Sequence, residues 1–161
     1  MDVRQTDFQD SLDRGMGGAC HISGTAEALA CPQRVVAFAR SMGFDETTCA
    51  KLHIAASELC TNVLRHGVRG LLSYAMVSSP EPGILVVAED EGPGFDDIEL
   101  ARRDGVSRGV DLGVHVAPAR RQSLGSGLGA IERLTHGMEV ENLPGGGARI
   151  AFFAALRKRG R

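Results

Sequence analysis

Tryptophan is absent from this 161-residue sequence and tyrosine occurs once, and the formal charge is -2. Few rings are left for bases to stack on, and no basic excess builds a phosphate-tracking face, so a nucleic-acid partner is not expected. No apolar run approaches the roughly 20 residues of a membrane helix. The opening MDVRQTDFQD has neither the basic nor the greasy segment of a secretory signal. The expectation is a cytoplasmic protein without a membrane partner. The four cysteines, Cys20, Cys31, Cys49 and Cys60, stand far apart, with no CxxC pair and no histidine at metal-ligand spacing. Neither a disulfide framework nor a zinc site is indicated.

What the chain has in excess is glycine, 21 residues in all, much of it after Gly92, where the backbone must approach something that side chains would obstruct. At this length, with 43% hydrophobic residues, one compact domain is expected.

Residues 1–24 show no periodicity and read as a flexible N-terminal arm, with a short strand near Cys20 to Ser23. From Pro32 to Met42 the apolar positions Val35, Phe38, Ala39 and Met42 fall on one helical stripe that stops at Gly43. Asp45 is placed to cap a second helix, in which Leu52, Ala55, Ala56, Leu59 and Val63 repeat that spacing up to Gly67. Leu71–Val77 and Gly83–Ala88, separated by SSPEPG, predict two antiparallel strands. The stretch 96–123 has little core patterning and five arginines, and reads as a lid or a disordered segment; DIELARRDG within it predicts a short helix. A glycine loop then enters a helix at Ala130. The segments Met138–Asn142 and Arg149–Ala154, joined by Pro-Gly-Gly-Gly, predict a closing hairpin. The basic tail 157–161 reads as a solvated end.

Three elements carry chemistry. On the second helix Glu58, Asn62 and His66 recur every fourth residue and share one face. Alone, they are more simply a solvated face. Chemically, Glu58 suits a general base and Asn62 a neutral oxygen ligand for Mg2+. Asp90-x-Gly92-x-Gly94 ends a strand: its carboxylate either caps a turn or accepts a hydrogen bond from an exocyclic amine such as that of adenine. Gly125, Ser126, Gly127, Leu128 and Gly129 lead into a helix, so that backbone amides and the helix N-terminus face an anion. No GK[ST] follows, and no βαβ unit surrounds the loop, which excludes a Walker A motif and a Rossmann site.

In this order, ELCTNVLRHG, DEGPGF and SLGSGLGAIERL, closed by a GGG turn and a strand, resemble the GHKL (Bergerat-fold) ATPase superfamily. Within it, the wording is similar to the bacterial anti-sigma-factor serine/threonine kinases of the RsbT-like switch type, over roughly residues 28 to 156. The resemblance implies an α/β (α+β) two-layer sandwich, a mixed, mostly antiparallel sheet with helices packed on one face, over residues 25–156. It also implies ATP and Mg2+ as cofactors, with Glu58 as catalytic base and Asn62 as the Mg2+ ligand. Asp90, with Gly92 and Gly94, would hold adenine; Gly125, Ser126, Gly127, Leu128 and Gly129 would surround the phosphates. The role of His66 stays open.

The implied activity is phosphorylation of a serine or threonine on a STAS-domain antagonist in partner switching. The alternative is a non-catalytic, nucleotide-dependent module that sequesters a sigma factor or activates a PP2C-type phosphatase, as a monomer or a homodimer. Two departures stand out. Ala148 follows the GGG turn where the family usually has threonine, and the stretch Arg108 to Gln122 looks inserted.

Overall fold

The computed structural model describes residues 3–103, 106–107, 110–111 and 127–157. Gly125, Ser126, most of the stretch expected to form a lid and the tail after Arg157 lie outside the described residues. The chain runs α1 (Val3–Asp13), β1 (Gly17–Ile22), α2 (Thr25–Ser41), α3 (Glu46–His66), β2 (Gly70–Val77) and β3 (Gly83–Asp90). It continues through α4 (Ile98–Arg102), the two-residue strands β4 (Val106–Ser107) and β5 (Val110–Asp111), α5 (Leu128–Leu134), β6 (Met138–Asn142) and β7 (Ala148–Ala155). Five strands form a sheet in the order β1-β2-β3-β7-β6, and every pairing in it is antiparallel. The expected α+β fold is present, and its sheet, expected to be mixed and mostly antiparallel, is antiparallel throughout.

Helix α3 forms as its sequence dictates. Asp45 accepts the Thr48 N–H at 2.7 Å through Oδ1, satisfying one of the donors that a helix start leaves orphaned. The stripe Leu52, Ala55, Ala56, Leu59 and Val63 is buried. Helix α2 is longer than the expected Pro32–Met42, because Ala28 and Cys31 extend its buried stripe upstream. Proline inside a helix removes one hydrogen bond, and the burial of Pro32 itself offsets that loss.

Alternation along the strands divides the core in two. Leu72 and Tyr74 of β2, Ile84, Val86 and Ala88 of β3, and Ile150, Phe152 and Ala154 of β7 face α2 and α3. Val77, Leu85, Val87, Ala151, Phe153 and Ala155 face the other way and pack with Phe8. The first 24 residues are therefore not a loose arm: β1 is an edge strand paired with β2, and α1 lies on the sheet face opposite α2 and α3. This corrects the expectation of helices on one face alone. The physical reason is that both faces of β3 and β7 are apolar, and burying Phe8 there is worth about 2 kcal/mol. Asp7 fastens α1 by accepting the Ser78 N–H at 2.6 Å and the Ser79 N–H at 3.1 Å. No helix among the described residues is long and apolar enough to cross a membrane.

Candidate functional site

Strand alternation decides which side of the sheet carries the site. Ala88 and Ile150 face α3, so Asp90 and Ala148, two residues further along β3 and before Ile150 on β7, face it as well. Glu89 and Arg149 pair directly, which puts Asp90 and Ala148 side by side in the next row. Ala148 in turn pairs with Asn142 at the end of β6. One row at the end of three strands thus presents a carboxylate, a methyl and an amide on the α3 side. Beneath it, on the outer face, Arg149 bridges Glu89 at 3.3 Å and Glu141 at 3.0 Å across the three strands.

The Asp90 carboxylate is oriented by its own turn: Oδ1 accepts the Gly92 N–H at 2.7 Å, which leaves Oδ2 for another donor. A Cβ on Gly92 would lie 2.5 Å from the His66 carbonyl oxygen and 2.9 Å from Asp90 Oδ1. The end of α3 and the Asp90 turn therefore meet at a distance only glycine permits. Gly94 adopts φ +78° and sits against Asn142 Oδ1. Gly147, at φ +92°, sits so close to the Asp90 carbonyl that a Cβ would collide with it, so the GGG turn and the DEGPG turn close on each other. Asn142 joins them, since its Oδ1 accepts the Phe95 N–H and its Nδ2 donates to the Phe95 carbonyl.

Glu58 stands on α3 with 5% of its surface exposed, the only acidic residue so deeply buried among those described. Asn62, one turn on, is half-buried. By helical rise Glu58 lies about 13 Å up the axis from Gly67, where α3 meets Asp90. Between the two, Cys60 turns the other way, into hydrogen-bonding contact with Cys31; burial pushes the Cys60 thiol up to about 12. Helix α5 packs against α3 and brings the glycine loop's far end with it. Gly127 is its N-cap at φ 66°, and Leu128 and Gly129 are buried in its first turn. The amides of Leu128 and Gly129 lie in the first turn, where a helix offers them no acceptor of its own. Arg102 of α4 holds this end together, donating to the Met138 carbonyl at 3.1 Å and approaching Glu132 of α5 at 3.6 Å.

Of the residues expected in the site, Glu58 and Asn62 share one helix, Asp90, Gly92 and Gly94 form the turn at its end, and Gly127, Leu128 and Gly129 start the helix packed beside it. Gly125 and Ser126 fall outside the described residues. Asn142 escaped the reading of the sequence, because an asparagine beside a Pro-Gly-Gly-Gly turn is an ordinary turn residue. Ala148 is 3% exposed and supplies no hydroxyl beside Asp90. Among the described residues no group of three or more histidine, cysteine or acidic side chains is arranged to hold a metal ion.

Comparison with known proteins bears on this geometry. The family model described as the histidine kinase-like ATPase domain matches residues 23–152. The serine/threonine-protein kinase RsbT of Bacillus subtilis (strain 168) is 28% identical over 120 residues, covering 74% of this chain and 81% of that protein. A crystal structure of the RsbU and RsbW domains of a Mycobacterium tuberculosis protein superposes with a TM-score of 0.58 at 15% identity. It covers 89% of this chain, which spans 34% of the length of that one. The SiaB–SiaC complex of Pseudomonas aeruginosa gives a TM-score of 0.58 at 12% identity, covering 96% of this chain and 98% of that one. At such identities these structures speak to the fold.

Proposed function

The chain belongs to the histidine kinase-like ATPase domain family, and from that premise we propose that it is a partner-switching protein kinase. It binds ATP between α3 and the turns at Asp90 and Gly147, and transfers the γ-phosphoryl group to a serine or threonine of a STAS-domain protein in the cytoplasm. The observation that carries this reading is the buried Glu58, held on one helix with Asn62 about 13 Å along the axis from Gly67, where α3 meets the Asp90 turn.

Asp90 Oδ2 accepts the adenine amine, and Gly92 and Gly94 place no side chain beside the ring. The amides at the start of α5 meet the phosphates. Glu58 draws the proton from the acceptor hydroxyl as its oxygen attacks the γ-phosphorus; the bond to the bridging oxygen breaks and ADP leaves. Low exposure keeps that carboxylate out of competition with water. A neutral amide oxygen next to a carboxylate suits Mg2+, which takes few protein ligands and keeps its waters and phosphate oxygens. When bound, the ion neutralises charge on the phosphates; Asn62 is the residue that would hold it.

Mixing the protein with γ-labelled ATP, Mg2+ and a STAS protein encoded beside it should move the label onto that partner. Glu58→Gln should slow transfer by about 10²- to 10⁴-fold while leaving ADP affinity unchanged. ATP bound normally with no transfer to any such partner would overturn the kinase reading. Ala148 favours a second reading, since a methyl replaces the hydroxyl expected beside adenine. In it the nucleotide is structural, and the domain sequesters a sigma factor or activates a PP2C-type phosphatase, alone or as a homodimer. That reading requires Glu58→Gln to leave partner control intact.

A further inference from the structure

The two edges of the sheet are built differently, and β6 is the guarded one. The Phe153 N–H donates to the Gly137 carbonyl at 3.0 Å, so by alternation Met138, Val140 and Asn142 turn their backbone groups away from β7. The Met138 carbonyl is taken by Arg102 at 3.1 Å, Asn142 is closed onto Phe95, and Glu139 and Glu141 set carboxylates along the strand. Charges and covering groups of this kind keep an edge from pairing with another chain.

Strand β1 carries no such guard. The Met16 carbonyl accepts the Met76 N–H at 3.1 Å, and the register continues through Gly18–Tyr74, Cys20–Leu72 and Ile22–Gly70. Gly17, Ala19 and His21 therefore point their N–H and C=O groups away from β2. The strand reads GGACHI, without proline, lysine or a carboxylate, and α1 packs chiefly on β2 beside it. Water solvates this edge in a lone chain; what singles it out is that it is complementary to itself. About a two-fold axis through Ala19, Gly17 meets the partner's His21 and Ala19 meets its own copy, and each pair exchanges two hydrogen bonds.

The helix above obeys the same axis. Cys31 of α2 is in hydrogen-bonding contact with Cys20, and Arg34 Nη1 lies 3.9 Å from the Cys20 sulfur, so the middle of α2 stands over the middle of β1. Arg40, bridged to Glu46 at 2.7 Å, marks the side of α2 turned toward α3. Glu27 and Arg34, both exposed, share the side turned away from it. At about 10 Å along the axis they are too far apart to pair with each other, and neither forms an ion pair with a described residue. The axis passes between them beside Ala30, which adds no bulk, and sets Glu27 opposite the partner's Arg34 and Arg34 opposite the partner's Glu27.

We propose that a second copy of this chain pairs with it along β1, joining the two five-stranded sheets into one, with the α2 helices antiparallel across the seam and bridged by Glu27 and Arg34. The seam uses no residue of the proposed nucleotide site.

Sedimentation equilibrium of the full chain over a concentration series should show a monomer–dimer equilibrium. Ala19→Pro removes an outward N–H that the β1–β2 ladder does not use, so the variant should fold as the parent does and its dimer should weaken at least about tenfold. Glu27→Arg and Arg34→Glu should each weaken self-association at least about tenfold by setting like charges opposite one another, whereas the two variants mixed in equal amounts should pair as tightly as the parent. A chain that stays monomeric at every concentration would overturn the proposal, as would a dimer that Ala19→Pro leaves intact or charge variants that associate no better mixed than alone. A STAS-domain protein bound by the monomer and lost in Ala19→Pro would assign the edge to that partner and overturn it as well.

Discussion

Asn142 holds Phe95 by both ends of its amide: Oδ1 accepts the Phe95 N–H at 2.8 Å and Nδ2 donates to the Phe95 carbonyl at 2.8 Å. The pair mimics one rung of a β-ladder, and through it the last residue of β6 fixes the turn that follows Asp90. No other side chain among the described residues spans these two turns in this way.

Replacing Asn142 by alanine should therefore loosen the Asp90 turn without touching the nucleotide directly. Two neutral hydrogen bonds at an exposed site are worth about 1–2 kcal/mol together. A loss of that size is expected in thermal denaturation, with ADP affinity weakened up to about tenfold by calorimetry. Asn142→Asp, which keeps the acceptor and loses the donor, should fall between.

Asp90→Asn tests the adenine assignment. The asparagine oxygen still accepts the Gly92 N–H, so the fold should survive, whereas the charged acceptor offered to an exocyclic amine is gone. Losing a hydrogen bond to a charged group costs about 1.5–3 kcal/mol, and ATP affinity should fall at least about tenfold. An unchanged affinity would place adenine elsewhere.

Asp7 predicts an acid-sensitive step in the attachment of α1. The Ser78 N–H, with smaller contributions from the Ser79 N–H and the Ser78 hydroxyl, holds its carboxyl below the usual 3.8. A depressed folded-state value stabilises the fold above the unfolded value, and that contribution disappears as pH falls through the folded one. Below pH 3.8 α1 should detach from β2 ahead of the sheet, seen as exchange of its amides. Asp7→Ala should cost about 1 kcal/mol at neutral pH, discounted for its exposure, and remove the acid step.

The thiols give a probe of global unfolding. Burial raises Cys31, Cys49 and Cys60, and at neutral pH almost no thiolate is present to react. Modification of these three by a disulfide reagent should proceed at the unfolding rate and accelerate with denaturant in step with it. Fast labelling of Cys60 in the native state would contradict its packing beside Cys31.

Helix α3 was fully legible in the sequence: the Asp45 cap, the apolar stripe and the stop at Gly67 all carry local signals, and the structure reproduces each. Its partner α2 was read short because Pro32 looks like a helix start, yet buried Ala28 and Cys31 carry the stripe through it. Helix α1 was not legible. Its hold on the sheet rests on Phe8, Leu12 and one long-range carboxylate, and two apolar residues make no period. The signal lay elsewhere, in the uninterrupted apolar runs of β3 and β7, which call for a cover on both faces. Among the candidate site residues, Glu58, Asn62, Asp90 and Gly127 were singled out by order and spacing alone. Asn142 was not, because its partner lies 47 residues away and only the closed turns bring the two together.

The position of β3 in mid-sheet, covered on both faces, has a kinetic consequence. Its amides open only with the whole domain, so Asp90 is mounted on the slowest-exchanging part of the molecule. Helix α5, seven residues long, lies outside the sheet ladder and is anchored through its packing on α3 and α4. Ligand-induced protection should consequently appear at Gly127 to Ala130 and leave β3 unchanged: at the proposed site, one wall would stand permanently built before the nucleotide arrives and the other would be completed by it.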